Sequence, residues 1–221
     1  MKKHTSINNF FSKFRLLLIP FIMLLSACDN PENNTIKQLD EYLSGQANHY
    51  NFNGNVLIAE NGKIVFQKSY GLADFKTKRA LNDSSVFELA SISKQITATA
   101  ILLLKDQGKL ELSDSLRNFF PELPYQGITL HHMLTHTSGL PDYEPMMIEK
   151  WDHSKIAFNA DMIAVMVKEK PPVLFLPGKK WKYSNTAYAL LASIAEKVSG
   201  QPFPDFLKEN IFVPLKMNHS R

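Results

Sequence analysis

Hydrophobic and polar positions alternate along the chain with two different periods. Residues 36–48 predict an amphipathic helix, because apolar side chains recur at helical spacing there: Ile36, Leu39, Leu43 and Ala47. Residues 55–60 and 63–68 are rich in β-formers and are separated by Asn61-Gly62, the pair favoured in type I′ turns. An N-terminal helix followed by a β-hairpin is therefore predicted.

The rest of the chain is predicted to be mostly helical. A helix begins at Ser91; its segment 96–104 is apolar nearly all round, which predicts burial, and Gly108 closes it. Further helices are predicted over 187–198, with Gly200 just past the end, and over 203–210. No obvious third strand follows residue 70, so the hairpin is expected to leave an incomplete sheet.

Composition and charge argue against several classes of protein and site. The chain has 221 residues, 44% of them hydrophobic, which is typical of a globular protein with a sizeable core. A single cysteine excludes a disulfide scaffold and a cysteine-clustered metal site. The net charge of +4 lies entirely in residues 1–27, which hold four bases and no acid. The remainder is neutral overall, so nucleic acid is not an expected partner.

The N-terminus has the layout of an export signal. A basic segment ends at Arg15, and residues 16–25 form an apolar run of about half the roughly 20 residues that a membrane span needs. The run ends in Leu-Ser-Ala before Cys28, which resembles the lipobox of bacterial lipoproteins. We expect a signal peptide over 1–27, lipidation of Cys28 and a tether over 28–35. The protein would then be exported and anchored to a membrane of the bacterial cell envelope, inner or outer.

Two short motifs carry candidate chemistry. Ser91 and Lys94 form an S-x-x-K at the start of a helix, so the lysine amine can reach the serine hydroxyl. Tyr183 and Asn185 form a Y-x-N motif; a phenol held against a lysine has its phenolate favoured and can accept the serine proton. Taken singly, each motif is weak, since Ser91 also suits a helix N-cap and Lys94 a solvated position.

The surroundings of both motifs resemble the class C β-lactamase family, which includes penicillin-binding serine carboxypeptidases and related esterases. Five ordered segments between residues 36 and 217 carry the resemblance: the hairpin with 70–74 (YGLAD), 87–94 (FELASISK), 130–141 (LHHMLTHTSGLP), 177–191 (PGKKWKYSNTAYALL) and 212–217 (FVPLKM). The resemblance implies an α/β (α+β) fold of the β-lactamase/transpeptidase type, with an antiparallel sheet and a helical domain.

The resemblance also implies roles for the motif residues. Ser91 is the expected nucleophile and Lys94 its activating partner, while Tyr183 is the expected general base and Asn185 holds Lys94 and the substrate amide. The expected reaction is acyl transfer to Ser91 and then to water, on a β-lactam, a D-Ala-D-Ala-type peptide or an ester. No metal or cofactor is implied, and the expected partners are that small-molecule or peptide substrate and the membrane. The oligomeric state is left open.

The sequence departs from the family in one respect. The family's third motif, Lys or His, then Thr or Ser, then Gly, is not found; residues 136–139 (HTSG) match a different loop. We therefore expect residues 36–221 to be the N-terminal portion of a β-lactamase-like domain. The alternative function is a non-catalytic, truncated penicillin-binding-like envelope lipoprotein.

Two other groups of residues suggest alternative sites. His132 and His136 have i, i+4 spacing next to His131, but the motif of a zinc protease is absent, so histidines bonded to the loop backbone are favoured over a metal site. The lysines around Trp181, at positions 179, 180 and 182, are expected to line the rim of the cleft before Tyr183.

Overall fold

The computed structural model describes residues 31–49 and 51–220, with side chains over 34–49 and 51–220. The predicted signal peptide and Cys28 lie outside these residues. None of the described helices combines the length and the apolar character that crossing a membrane requires. The chain divides into two compact units, the first ending at Ser85 and the second beginning at Val86, and each is described by itself.

Helix α1 of the first unit spans Pro31–His49 and so begins before the predicted residue 36. Proline suits the first position of a helix because its missing N–H has no partner to lose there. On the hairpin side, the carboxylate of Asp40 accepts hydrogen bonds from Lys68 Nζ at 2.6 Å and from Tyr70 Oη at 2.8 Å. These two bonds lower the pKa of Asp40. Helix α1 is thereby held against the second strand.

The predicted hairpin is confirmed. Strands β1 (Gly54–Glu60) and β2 (Lys63–Tyr70) pair antiparallel, with Glu60 opposite Lys63 and a register shift at Ile58. Asn61 and Gly62 both have positive φ, 49° and 76°, as a type I′ turn requires.

Two short strands follow residue 70, but neither adds a third strand to the hairpin, so the hairpin sheet has two strands within the described residues. Strands β3 (Leu72–Asp74) and β4 (Arg79–Ala80) form a second antiparallel ribbon, which is separate from the hairpin sheet. The Asp74 carboxylate closes the connection by accepting the N–H groups of Lys76 and Thr77. Strands of two and three residues are too short to display an alternating pattern, so hydrophobic periodicity did not mark them.

The second unit is helical. A 3₁₀ turn over Ala90–Ile92 leads into α2. The helices are α2 (Ser93–Asp106), α3 (Leu116–Phe119), α4 (Leu130–Leu134), α5 (Tyr143–Lys150), α6 (Asn159–Glu169), α7 (Asn185–Ser199) and α8 (Phe203–Leu207), followed by a π-helical turn over Lys208–Phe212. The predicted 187–198 helix is confirmed as α7, with Gly200 left-handed at its C-cap. The predicted 203–210 helix is split between α8 and the π turn.

Helices α2 and α7 pack against each other at the centre of the second unit's core. Their fully buried side chains include Ile101 and Leu104 from α2 and Leu190, Leu191 and Ile194 from α7. The prediction that α2 is buried all round is wrong, because Leu102 is 44% exposed. The exposed side chains of Gln95, Thr99 and Leu102 lie along one face of α2. The pairing brings the first turns of α2 and α7 close together.

Candidate active site

Ser91 lies in the 3₁₀ turn at the N-terminal end of α2. The residue before it, Ala90, has φ of 46°, a left-handed conformation that is costly for a residue with a Cβ. The N-cap position of α2 is Ile92, and no side chain caps the helix. Ser91 is therefore not an N-cap. Its Oγ accepts a hydrogen bond from Lys94 Nζ at 3.2 Å, the contact that the S-x-x-K spacing predicts.

Lys94 also contacts the second motif. Its Nζ donates to Asn185 Oδ1 at 2.7 Å, and Asn185 Nδ2 in turn donates to Glu144 Oε1 at 3.0 Å. Asn185 is the first residue of α7, whose N-cap Ser184 accepts from Ala187 N. A carboxylate therefore fixes the amide so that its oxygen faces the ammonium.

Glu144 reaches Asn185 because the start of α5 is tied to the start of α7. Thr186 Oγ1 accepts from Tyr143 N at 2.9 Å and donates to Pro141 O at 2.7 Å. Sequence reasoning missed Glu144. The only local signal is Asp142, which caps α5 by accepting from Glu144 N, and that signal concerns the helix and not the site.

Two tyrosine rings flank the Lys94 ammonium. Lys94 Nζ lies 4.8 Å from the centroid of the Tyr183 ring and 5.7 Å from that of Tyr188. Hydrogen bonding to Lys94 and then to Ser91 lowers the pKa of Tyr183 below its usual value of 10.0. Burial, and then the neighbouring Tyr183, raises the pKa of Tyr188. Of the two phenols, Tyr183 is thus the one whose phenolate is favoured.

His136 packs against both rings. Its ring centroid is 4.7 Å from that of Tyr183 and 5.1 Å from that of Tyr188. Its Nδ1 accepts the N–H of Ser184 at 3.1 Å, so the predicted bond to the loop backbone is present. His132 makes a similar local bond, accepting from Thr129 N. The described residues contain no cluster of three or more metal-ligating side chains.

The loop that carries His136 runs beside the segment that leads into Tyr183. Backbone bonds join Lys182 N to His136 O at 2.9 Å, Gly178 N to Thr137 O at 2.8 Å and Leu174 N to Gly139 O at 2.8 Å. The lysines at 179, 180 and 182 and Trp181 are exposed along this segment; that they line the rim of a cleft stays a prediction. A separate surface hollow of about 530 Å³, lined in part by Phe120, Ile163 and Lys197, contains none of the four motif residues.

Comparison with known proteins identifies the family. The family model described as Beta-lactamase matches residues 34–221. The chain belongs to the beta-lactamase family. It is 44% identical to penicillin-binding protein 4* of Bacillus subtilis over 86% of this chain and 42% of that protein. It is 31% identical to esterase EstB of Burkholderia gladioli over 73% of this chain and 44% of that protein.

Solved structures of a penicillin-binding protein homologue and an amidase share the fold. The octameric penicillin-binding protein homologue of Pyrococcus abyssi matches with a TM-score of 0.72 and 28% identity, covering 83% of this chain and 43% of that one. D-amino acid amidase of Ochrobactrum anthropi matches with a TM-score of 0.70 and 27% identity, covering 85% and 52%. The predicted α+β fold of the β-lactamase/transpeptidase type is confirmed. The chain spans less than half the length of these two curated relatives.

Proposed function

We propose that this chain carries the acylation centre of a serine hydrolase, in which Ser91 forms an acyl-enzyme with a β-lactam, a D-Ala-D-Ala-type peptide or an ester. The observation that carries the proposal is the position of Lys94 Nζ, which contacts Ser91 Oγ at 3.2 Å and Asn185 Oδ1 at 2.7 Å. Family relatives named as penicillin-binding proteins and an esterase support the same reaction class.

The contacts of Lys94 and Tyr183 support a direction for each proton transfer in the proposed reaction. The Lys94 ammonium donates to Ser91 Oγ, so the acceptor of the serine proton is the phenolate of Tyr183, whose pKa is lowered by Lys94 and Ser91. As Ser91 Oγ bonds to the substrate carbonyl carbon, its proton passes to Tyr183. Tyr183 then returns this proton to the leaving group as the carbonyl–leaving group bond breaks. Water repeats the sequence, which releases the acid and frees Ser91.

Two further features support Ser91 as the nucleophile: one stabilises charge on its oxygen and the other sets its position. The N-terminal end of α2 carries the positive end of the helix dipole, which stabilises an anionic serine oxygen. Ala90, held left-handed at φ 46°, sets the turn that presents Ser91 next to Lys94. Strain of this kind is kept where the surrounding structure imposes it, and it clusters at functional sites.

Labelling with an activity probe tests the proposal. Purified chain is treated with a fluorophosphonate and, separately, with a fluorescent penicillin, and the labelled residue is located by mass spectrometry. We expect labelling at Ser91 that Ser91→Ala abolishes. Ser93→Ala is the matched control, since Ser93 lies two residues away and starts α2, and it should label normally.

The substrate class is resolved by a panel of substrates. A chromogenic cephalosporin, a p-nitrophenyl ester and a D-Ala-D-Ala peptide are compared, each against Ser91→Ala. Turnover of one that depends on Ser91 identifies the class. Folded chain that reacts with neither probe and turns over none of the three substrates would contradict the proposal. That outcome would favour the alternative, a non-catalytic envelope lipoprotein.

A further inference from the structure

His136 has a strained backbone and a constrained ring. Its φ is 59°, in the left-handed region, although it is not a glycine. Its backbone oxygen accepts from Lys182 N, and its Nδ1 accepts from Ser184 N at 3.1 Å. The two bonds bracket Tyr183 on both sides in sequence, and the imidazole packs on the Tyr183 ring with centroids 4.7 Å apart.

The hydrogen bond from Ser184 N requires the His136 ring to be neutral at Nδ1. A ring nitrogen that accepts from a backbone N–H carries no proton, so the single proton of a neutral imidazole is on Nε2. Protonation would turn Nδ1 into a donor that faces the Ser184 N–H. The bond would be lost, and a second cation would lie near Lys94.

We propose that neutral His136 is a positioning residue for Tyr183, and that its protonation releases the Tyr183–Asn185 segment from the geometry needed for acylation. The inference rests on the proposed function of Ser91 and Tyr183. It assigns a role in the reaction to the His-Thr-Ser-Gly loop, through the hydrogen bond from Ser184 N and the ring contact with Tyr183.

The groups around the imidazole come from several elements. Tyr183 and Trp181 approach from the segment before α7, Tyr188 from α7 itself, and Lys94 from α2. Burial, and then the charge of Lys94, lowers the pKa of His136 below its usual 6.5. A lowered pKa means that the neutral form is fully present above pH 6.5 and is lost as the pH falls through the pKa of the folded state.

The kinetic test compares the wild type with His136→Asn. Asparagine places an amide oxygen near the position of Nδ1 but does not titrate, so His136→Asn keeps an acceptor for Ser184 N. The rate of probe attachment to Ser91 is measured between pH 5 and pH 9. As the pH falls, protonation of the Tyr183 phenolate alone gives a plot of log rate against pH with a slope of one. In the wild type, protonation of His136 at lower pH should steepen this slope towards two. We expect His136→Asn to keep a slope of one throughout.

Control variants separate this role from a general loss of structure. His132→Asn changes a histidine of the neighbouring helix α4 whose ring accepts from Thr129 N and not from Ser184 N, and it should retain the wild-type profile. His136→Ala, which has no acceptor, should label about 10²-fold more slowly at pH 8, the cost expected for a displaced catalytic group. A steepened slope that persists in His136→Asn, or a wild-type rate in His136→Ala, would overturn the inference.

A second measurement does not depend on activity. The Ser184 amide proton is followed by ¹H–¹⁵N NMR with hydrogen exchange. We expect its signal to titrate with a midpoint below pH 6.5 in the wild type and not in His136→Asn, and its protection to be lost in His136→Ala. If the wild type fails to label, the proposed function is wrong, but this titration still decides the role of His136. A Ser184 amide that ignores pH would refute the role even if Ser91 labels.

Discussion

At the scale of single residues, the two tyrosines beside Lys94 have opposite acid–base properties. The pKa of Tyr183 is lowered by Lys94 and Ser91, whereas the pKa of Tyr188 is raised by burial and by Tyr183. The Tyr188 hydroxyl is committed to Leu134 O, to which it donates at 3.0 Å. Of these two phenols, Tyr183 is the one whose properties suit the proposed role of base for Ser91.

Replacing each phenol by phenylalanine tests this difference. Tyr183→Phe should slow acylation of Ser91 by about 10²–10⁴-fold, the usual contribution of a general base. Tyr188→Phe keeps the ring beside Lys94 and should change the rate only slightly. The wild-type rate should rise with pH through the lowered pKa of Tyr183, and Tyr183→Phe should lose that rise. Similar rates for the two variants would contradict the assignment.

Glu144 is expected to act through the orientation of the Asn185 amide. Glu144→Ala removes the acceptor of Asn185 Nδ2 and should slow labelling of Ser91 about fivefold to tenfold, consistent with one hydrogen bond worth about 1 kcal/mol. Glu144→Gln retains an acceptor oxygen and should be close to wild type. Glu149→Ala is the control on the same helix, because Glu149 pairs with Lys150 instead. Equal loss in the alanine and glutamine variants would point to charge and not to orientation.

At the scale of elements, two neighbouring backbone segments carry Tyr183 to its position. The segment 136–139 bonds the segment 174–182 through successive backbone contacts. The close approach depends on Gly139, whose φ is 72° and where a Cβ would collide with the carbonyl oxygen of Phe175. Neither strand-like alternation nor helical spacing marks such a pairing in a sequence.

Alanine at Gly139 should destabilise the second unit more than alanine at another left-handed glycine. Gly127 has nearly the same φ, 71°, but open space around a Cβ. Gly127→Ala should cost about 1–2 kcal/mol from backbone strain alone, and Gly139→Ala should cost about 1–3 kcal/mol more from the collision. Urea denaturation measures both. Equal midpoints for the two variants would show that the Phe175 contact is not tight.

At the scale of the whole molecule, the charge distribution distinguishes residues 1–27 from the rest of the chain. All of the net charge of +4 lies in residues 1–27, ahead of the single cysteine, Cys28. We propose that this segment directs export and that Cys28 receives a lipid anchor. The beta-lactamase family match begins at residue 34, beyond the proposed leader.

Lipidation is tested by expressing the chain in a bacterium fed radiolabelled palmitate. The wild type should incorporate label and sediment with membranes, and Cys28→Ser should do neither, because the thiol that receives the lipid is absent. Ser91→Ala is the control, because Ser91 lies far along the chain from Cys28, and this variant should be labelled like the wild type. Palmitate incorporation that survives Cys28→Ser would refute the anchor.

The sequence by itself determined the features that depend on neighbours within a few residues. The Asn61-Gly62 turn specified the hairpin, Gly200 ended α7, and the spacing of Ser91 and Lys94 put amine and hydroxyl together. Backbone preferences and one helical turn act over that range. The family, too, was recognisable from ordered segments of the sequence.

Only the tertiary structure decided which distant groups meet. Lys94 and Asn185 lie 91 positions apart, and their contact follows from the packing of α2 on α7. Glu144 and His136 enter the site because hydrogen bonds tie the first turn of α5 and the loop after α4 to the start of α7. The tertiary structure also leaves Leu102 exposed, whereas the apolar run predicted that it is buried. A periodic pattern states which face is apolar, but which neighbours cover that face depends on long-range contacts between elements.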